Sequence, residues 1–352
     1  MAINLHSKYE KAIATALVRE SLISGKLNNE YSFSGVRTVK ISTPQTVPLV
    51  DYTRNGTSRY GTPQEMQDTV QEMTMSQDKS FSLTVDKGNN ADQSGIKAAG
   101  KMLALQIKER VVPMKDQYTF MRLAQLAGNV VGNPTALTKS TVLDRIFEGS
   151  RVLNDAEIPA DGRTLYVPAA VYKLLLLSDE FIKLEALGKK SVAKGEVGMV
   201  DGMTVVSVPA GRWPANVNFM IVYKNSATAP SKINDTKLHQ DPPGISGNLL
   251  EGRFYYDVFV IGARAAGIYV EVDTSSDKSA VLAAPTIAAA TGVITPPSGA
   301  SVKFTTDGTD PRYSDTAQAG TAAGTGAGKV VKAYAYKEGA YPSPVAEAIL
   351  TA

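Results

Sequence analysis

Lys79-Ser80-Phe81-Ser82-Leu83-Thr84-Val85-Asp86 is an alternating strand that turns through Lys87-Gly88-Asn89-Asn90 into one very long helix. Phe81, Leu83 and Val85 fall on one face with period two. From about Asp92 to Gly128, Ile96, Leu103, Ile107, Val111, Met114, Tyr118 and Met121 recur as a helical stripe. About 37 residues at 1.5 Å each give roughly 55 Å, longer than a small domain is wide. Pro113 lies inside this stretch and predicts a kink or a split. A helix of that length reads as the spine of an elongated subunit. A second run of equal weight, Leu249-Leu250-Glu251-Gly252-Arg253-Phe254-Tyr255-Tyr256-Asp257-Val258-Phe259-Val260, lies far downstream. It is expected to form a long antiparallel pair with residues 267–273, joined near Gly262-Ala263-Arg264.

Nothing in either stretch carries catalytic chemistry. The chain of 352 residues, 43% hydrophobic and 20% charged, is long enough for one to three domains with ample core. It has no cysteine, which removes disulfides, thiolate metal sites and cysteine nucleophiles. Its two histidines, His6 and His239, sit at the N-terminal end and before the Pro/Gly-rich Gln240-Asp241-Pro242-Pro243-Gly244, and both read as loop or packing residues. No metal or cofactor site is expected. An enzyme would depend on carboxylates such as Asp155/Glu157 or Asp179/Glu180, which lie in ordinary helix-end and loop contexts. Gly195-Glu196-Val197-Gly198 precedes a strand rather than a helix and so is no phosphate cradle. The net charge of +3 is too small for a dedicated nucleic-acid binder. No apolar run reaches the roughly 18–20 residues that span a bilayer, and no signal peptide is apparent.

Upstream, Ser7 and Glu10 form a capping box, with Tyr9, Ile13, Ala16 and Leu17 at helical spacing and Gly25 as the stop. This helix reads as a docking arm. Residues 35–88 read as a long hairpin, with Val36, Val39 and Ile41 on the way in and Phe81, Leu83 and Val85 on the way out. Its polar, turn-rich middle, Asp51 to Gly61, becomes stable if it lies across a neighbouring subunit. Residues 134–250 read as mixed α/β. Helices are expected at about 138–154 and 168–177, and strands at 164–167 and 219–223. A two-residue Asp201-Gly202 hairpin joins Val197–Val200 to Met203–Val208. After Asp273 a linker is expected at 274–280. A small all-β unit follows over 281–352, with alternating strands at Val302-Lys303-Phe304 and Lys329 to Tyr336.

The order of parts over residues 1–273 resembles the major capsid proteins of tailed double-stranded DNA phages with the Hong Kong 97-type fold. The resemblance is carried by Asp78-Lys79-Ser80-Phe81 leading into Val85-Asp86-Lys87, by Lys194-Gly195-Glu196-Val197-Gly198-Met199-Val200-Asp201-Gly202, and by Asp241-Pro242-Pro243-Gly244 followed by Glu251 to Asp257. It implies an α+β fold: an N-arm at 1–34, an extended loop at 35–88, a peripheral domain with the spine helix at 89–133 and 249–273, and an axial domain at 134–248. It also implies a homo-oligomer of hexamers and pentamers closing an icosahedral head around packaged DNA, which the protein contacts non-specifically. The head would be assembled in the bacterial cytoplasm. A portal protein and a separate scaffolding protein are implied partners, since the arm helix begins only seven residues after Met1. A membrane is not.

The extended loop would lie over an adjacent subunit. Arg54, Arg59, Tyr52 and Tyr60 on the loop, and Tyr9, Ile13 and Leu17 on the arm, are the candidate inter-subunit contacts. The residues alone leave open whether the two arginines are cross-boundary partners or solvated loop charges. Some relatives weld their shells through an extended-loop lysine, but residues 51–78 contain none. Residues 281–352 resemble the small immunoglobulin-like domains of chitobiase-type glycosidases, through Phe304-Thr305-Thr306-Asp307-Gly308-Thr309-Asp310-Pro311, Lys332-Ala333-Tyr334-Ala335 and Ser343-Pro344-Val345-Ala346. On a shell this unit would project outward. Tyr313 and Tyr341 are then candidates to face a surface glycan, or else they pack its small core. Asp307, Asp310 and Asp315 read as turn chemistry before calcium ligands. The alternatives are an encapsulin-like compartment shell, or a carbohydrate-binding adhesin acting through the C-terminal unit.

Overall fold

The computed structural model describes residues 20–178 and 196–351, apart from 32, 34–36, 45, 48, 56, 64, 67 and 93–98. The arm helix with Tyr9, Ile13 and Leu17, the carboxylates Asp179 and Glu180, and Lys194-Gly195 lie outside the described residues.

A six-stranded mixed sheet organises the body. Its order is Asn129–Asn133, Ile268–Asp273, Val217–Tyr223, Arg163–Pro168, Met203–Val208 and Glu196–Val200. The inner strands are buried along almost their whole length, so their sequences read as apolar runs. Period two nevertheless sorts their side chains onto two cores. Tyr166, Val206, Met220, Val222, Val270 and Val272 face one side, against Phe120 and Leu123 of the long helix. Leu165, Val167, Val205, Phe219, Ile221 and Tyr269 face the other, under the helices Val142–Asp155 and Ala169–Leu176. The expected Asp201-Gly202 hairpin is present, with both turn residues at positive φ (50° and 73°) as a type I′ turn requires.

The long helix differs from its expected form. Ala99–Gln106 continues into a π turn, Ile107–Val111, and then into Val112–Gln125. The N–H of Val112 donates to the carbonyl of Ile107. Pro113 brings no N–H, and its ring would crowd the carbonyl four residues back, so the wider turn immediately upstream of it relieves the ladder. The extra residue turns everything downstream by about 100°. The buried face therefore runs Val111, Asp116, Phe120, Leu123 and Ala124, while Met114 and Met121 of the expected stripe are exposed.

Strand pairing also departs from expectation. Gln77–Asp86 does not return alongside residues 36–41. It pairs antiparallel with Gly247–Tyr256, whose other edge takes Ser231–Gln240. The true return strand is Asp68–Thr74, in register with Thr38–Pro44. Nor does 249–261 pair with 267–273: Ile268–Asp273 is buried between Asn129–Asn133 and Val217–Tyr223 in the six-stranded sheet. The unforeseen strands are polar. Asp68–Thr74 carries only Val70 and Met73 as large apolar residues, and Ser231–Gln240 is an exposed edge bearing Lys232 and Lys237. His239, expected in a loop, lies in that edge strand, 3.3 Å from Glu251.

The C-terminal unit is all-β. It holds a four-stranded sheet ordered Gln318–Ala319, Ser301–Thr305, Val330–Tyr336 and Ala346–Ile349, and a short pair, Thr286–Ile287 with Ile294–Thr295. Val302, Phe304, Val331, Ala333, Ala335 and Leu350 form its own core. The stretch expected as a linker is exposed over residues 275–279 but pinned at both ends. Thr274 donates its N–H to Asn133 at 2.8 Å, and Ala280 is buried in the main core of the body.

Candidate inter-subunit surface

Thr38–Pro44 and Asp68–Thr74 form a two-stranded ribbon that shares no strand ladder with another sheet among the described residues. Such a ribbon is marginal alone, so it must be held at its root. Three devices hold it. The first is the Gln71 amide, which donates at 2.8 Å to the carbonyl of Val260 and accepts at 2.8 Å from the N–H of Gly262. The second is an apolar knot of Phe33, Met73, Met75 and Phe259, in which the two phenyl rings stack 5.5 Å apart. The third is Asp257, almost completely buried where the apolar run ends.

Asp257 is a four-bond hub. One carboxylate oxygen accepts from the N–H (2.7 Å) and hydroxyl (2.9 Å) of Ser76, and the other from Tyr118 Oη and the Val258 N–H, both at 2.8 Å. Burial, then the bond to Asp257, pushes the Tyr118 phenol up to about 12. The hub ties the strand leaving the loop to the long helix. Asp257→Asn keeps the shape but removes acceptor capacity, so at least one buried donor loses its partner. It is expected to lower stability by about 1–3 kcal/mol, read by urea unfolding; an unchanged midpoint would refute the hub.

Beyond the root, the described residues between 46 and 66 carry an apolar surface with no cover from the rest of the chain. Leu49 is 101% exposed, Tyr60 85%, Met66 68%, Val50 63%, Val47 56% and Tyr52 51%. The tip is not shapeless. Tyr52 and Tyr60 meet edge to face at 5.1 Å, and the Thr53 N–H donates to Arg59 at 3.1 Å. The structure thus brings together four of the sequence candidates, Tyr52, Tyr60, Arg54 and Arg59, on one exposed tip. Concentrated exposed apolar area of this kind marks a contact surface.

The C-terminal candidates lie elsewhere. Tyr313 is buried, its hydroxyl donating to Leu126 at 2.6 Å, and Tyr341 donates to Ala215 at 2.6 Å. Burial holds the Tyr341 phenol up at about 12 and drives Tyr313 well above the usual phenol range. Tyr313 belongs to the main core of the body, and Tyr341 packs against that core half-buried. Asp307 accepts from Thr309 N–H, Thr309 Oγ1 and Thr316 Oγ1, and Asp310 pairs with Arg312; this is turn chemistry, as expected. No group of three or more His, Cys, Asp or Glu among the described residues is placed to hold a metal ion. Asp155 pairs with Arg151, and no helix among the described residues is long and apolar enough to cross a membrane.

Gln71, Asp257 and Arg312 were not singled out from sequence. Asp257 carried a signal, as a lone acid inside an apolar and aromatic run; Gln71 and Arg312 carried none.

No family model and no curated protein matches this chain. Solved structures do. A chain of Mycobacterium phage Che8 aligns with TM-score 0.59 and 17% identity, over 77% of this chain and 98% of that one. The capsid structure of the cyanophage P-SCSP1u gives TM-score 0.62 at 11% identity, over 77% and 93%. The asymmetric unit of the mature capsid of bacteriophage PhiM1 gives 0.61 at 14%, over 77% and 92%. Nearly the whole of each phage chain is thus accounted for by about three-quarters of this one, and over that part the fold is the one found in those phage structures.

Proposed function

We propose that this chain is the major capsid protein of a tailed double-stranded DNA phage, with the Hong Kong 97-type layout. Copies self-assemble as hexamers and pentamers of an icosahedral head that encloses the DNA. The observation that carries the reading is the ribbon Thr38–Pro44/Asp68–Thr74, rooted in the body by Gln71 and Asp257 and ending in an uncovered apolar tip. A lone globular protein has no use for such a tip; a neighbouring copy covers it. The likeness to capsid folds supports the same reading, in which residues 1–34 would form an N-arm, 134–248 an axial domain, and 89–133 with 249–273 a peripheral domain. Scaffolding and portal proteins are the partners this reading implies, with non-specific contact to packaged DNA. The adhesin alternative draws nothing from Tyr313 and Tyr341, whose hydroxyls bond the body.

Negative-stain electron microscopy of the protein expressed alone, and with its genomic neighbours, tests the proposal. Closed isometric particles or capsomer sheets are expected. A monodisperse monomer under both conditions overturns it, and shells filled with protein instead of DNA favour the compartment alternative.

A further inference from the structure

We infer that the C-terminal unit is a buttress: by docking Arg312 and Tyr313 on the body, it sets the direction in which the ribbon Thr38–Pro44/Asp68–Thr74 leaves. The unit is held to the body by more than the connecting stretch 274–280. Its own core is complete without Tyr313 and Tyr341, whose rings belong instead to the main core of the body.

The docking residues close the end of the long helix. That helix stops at Gln125, and the carbonyls of Leu126, Ala127 and Gly128 face onward without helical partners. Tyr313 Oη donates to the first, and Arg312 Nη1 donates to the other two at 3.0 and 3.1 Å. A guanidinium there also complements the helix dipole. Its geometry is fixed in advance, because Asp310 accepts from both the Arg312 N–H (2.9 Å) and its guanidinium (2.7 Å).

The same residues reach the ribbon's root through one turn, Gly262–Gly267. A Cβ at Gly262 would meet Cβ of Tyr313 at 2.8 Å, so the ring lies directly on this backbone. The N–H of Gly262 is the donor to Gln71 of the ribbon, and the carbonyl of Ala265 takes the N–H of Gly128. Helix end, ribbon root and C-terminal unit therefore share one short turn. Directly beside it, a cleft of about 240 Å³ is lined by Thr43, Thr69 and Gln71 of the ribbon and by Thr309, Asp310 and Tyr313 of the unit. Across it the backbone link from Asp315 N–H to Val70, at 3.5 Å, is too long to steer the ribbon by itself. Control therefore runs through the turn. This device operates within one chain, so it stands or falls independently of whether copies assemble.

The chain has no cysteine, so K40C/K139C places spin labels cleanly on the ribbon and on the body. In the unassembled full chain, pulsed electron–electron resonance should give a narrow distance distribution that broadens at least twofold in R312A/Y313A. Hydrogen exchange at Gly128 and Gly262 should quicken at least tenfold, while strand Val330–Tyr336 stays protected. An unchanged distribution overturns the buttress. Should R312A/Y313A also unfold the C-terminal unit, R312L/Y313F decides. It keeps the packing of both side chains and the Gly262 backbone but removes the donors to Leu126, Ala127 and Gly128. The same broadening there supports the proposal, and a wild-type distribution overturns it.

Discussion

Replacing Asp116 with alanine is expected to lower the melting temperature by about 10 °C. Asp116 sits on the buried face of the long helix and is 2% exposed. It accepts from Arg212 Nη1 at 2.7 Å, Ser21 Oγ at 2.8 Å and the Leu22 N–H at 3.1 Å. Arg212, equally buried on the turn Ala210–Arg212, also donates to the carbonyl of Glu20 at 3.1 Å. One carboxylate thus fixes the helix, the turn ahead of strand Val217–Tyr223, and the point where the chain enters the body from residue 20. Removing one partner of a buried pair costs about 3–5 kcal/mol, since the other charge stays buried. At roughly 2–4 °C per kcal/mol for a domain of this size, that gives the stated fall. The mechanism is separable from simple loss of packing. D116L/R212M removes both charges and should recover about half of the loss, keeping a deficit of about 1–3 kcal/mol for the buried Leu22 N–H that no longer has an acceptor. A fall under 2 °C in D116A, or a double variant no better than the single, would sink this account.

The parts of the fold legible in the sequence are those whose burial is written in apolar residues. The strands at 163–168, 203–208 and 217–223 and the helices at 142–155 and 169–176 are such parts. The parts that were not legible fall into two physical kinds. Asp68–Thr74 and Ser231–Gln240 are strands whose side chains stay largely in water, so the ladder holds them and the alternation hardly shows. The long helix presented a correct period and a wrong face below residue 111, because the π turn is a hydrogen-bonding event that Pro113 hints at and periodicity alone cannot display. The candidate surface divides in the same way. Tyr52, Tyr60, Arg54 and Arg59 announce an exposed tip by their turn-rich neighbourhood. Gln71 is an ordinary polar strand residue until residues 260 and 262 arrive beside it. Tyr313 and Tyr341 are ambiguous in sequence for a related reason: an aromatic ring suits a ligand face and a docking face equally well, and only the position of Leu126 and Ala215 decides.

Shortening the ribbon tip, by replacing residues 46–66 with a two-residue turn, abolishes assembly and leaves the monomer as stable as before. The two halves of this expectation have separate origins. Val47, Leu49, Val50, Tyr52, Tyr60 and Met66 are all more than half exposed in the single chain, so the folded monomer gains little from them. Full burial of a large apolar side chain contributes about 1.5–3 kcal/mol, so covering six of them is worth at most about 18 kcal/mol per copy. That upper bound is comparable with the roughly 4–15 kcal/mol of translational and rotational freedom lost on association, so assembly cannot spare the tip while the rest of the contact must also order side chains and desolvate polar groups. The cut must stop short of the root. A deletion through residue 77 would also remove Met73, Met75 and the Ser76 bonds to Asp257, and would confuse loss of assembly with loss of folding. Keeping Asp68–Thr74 preserves the ladder with Thr38–Pro44 and the Gln71 anchor. The milder L49S/Y60S leaves the backbone alone and should slow assembly in proportion to the apolar area it removes. Thermal melting and electron microscopy on the same samples read the two halves independently. Normal shells from the shortened chain would show that the tip covers no neighbour. A lowered melting temperature would show instead that the tip folds back on its own body.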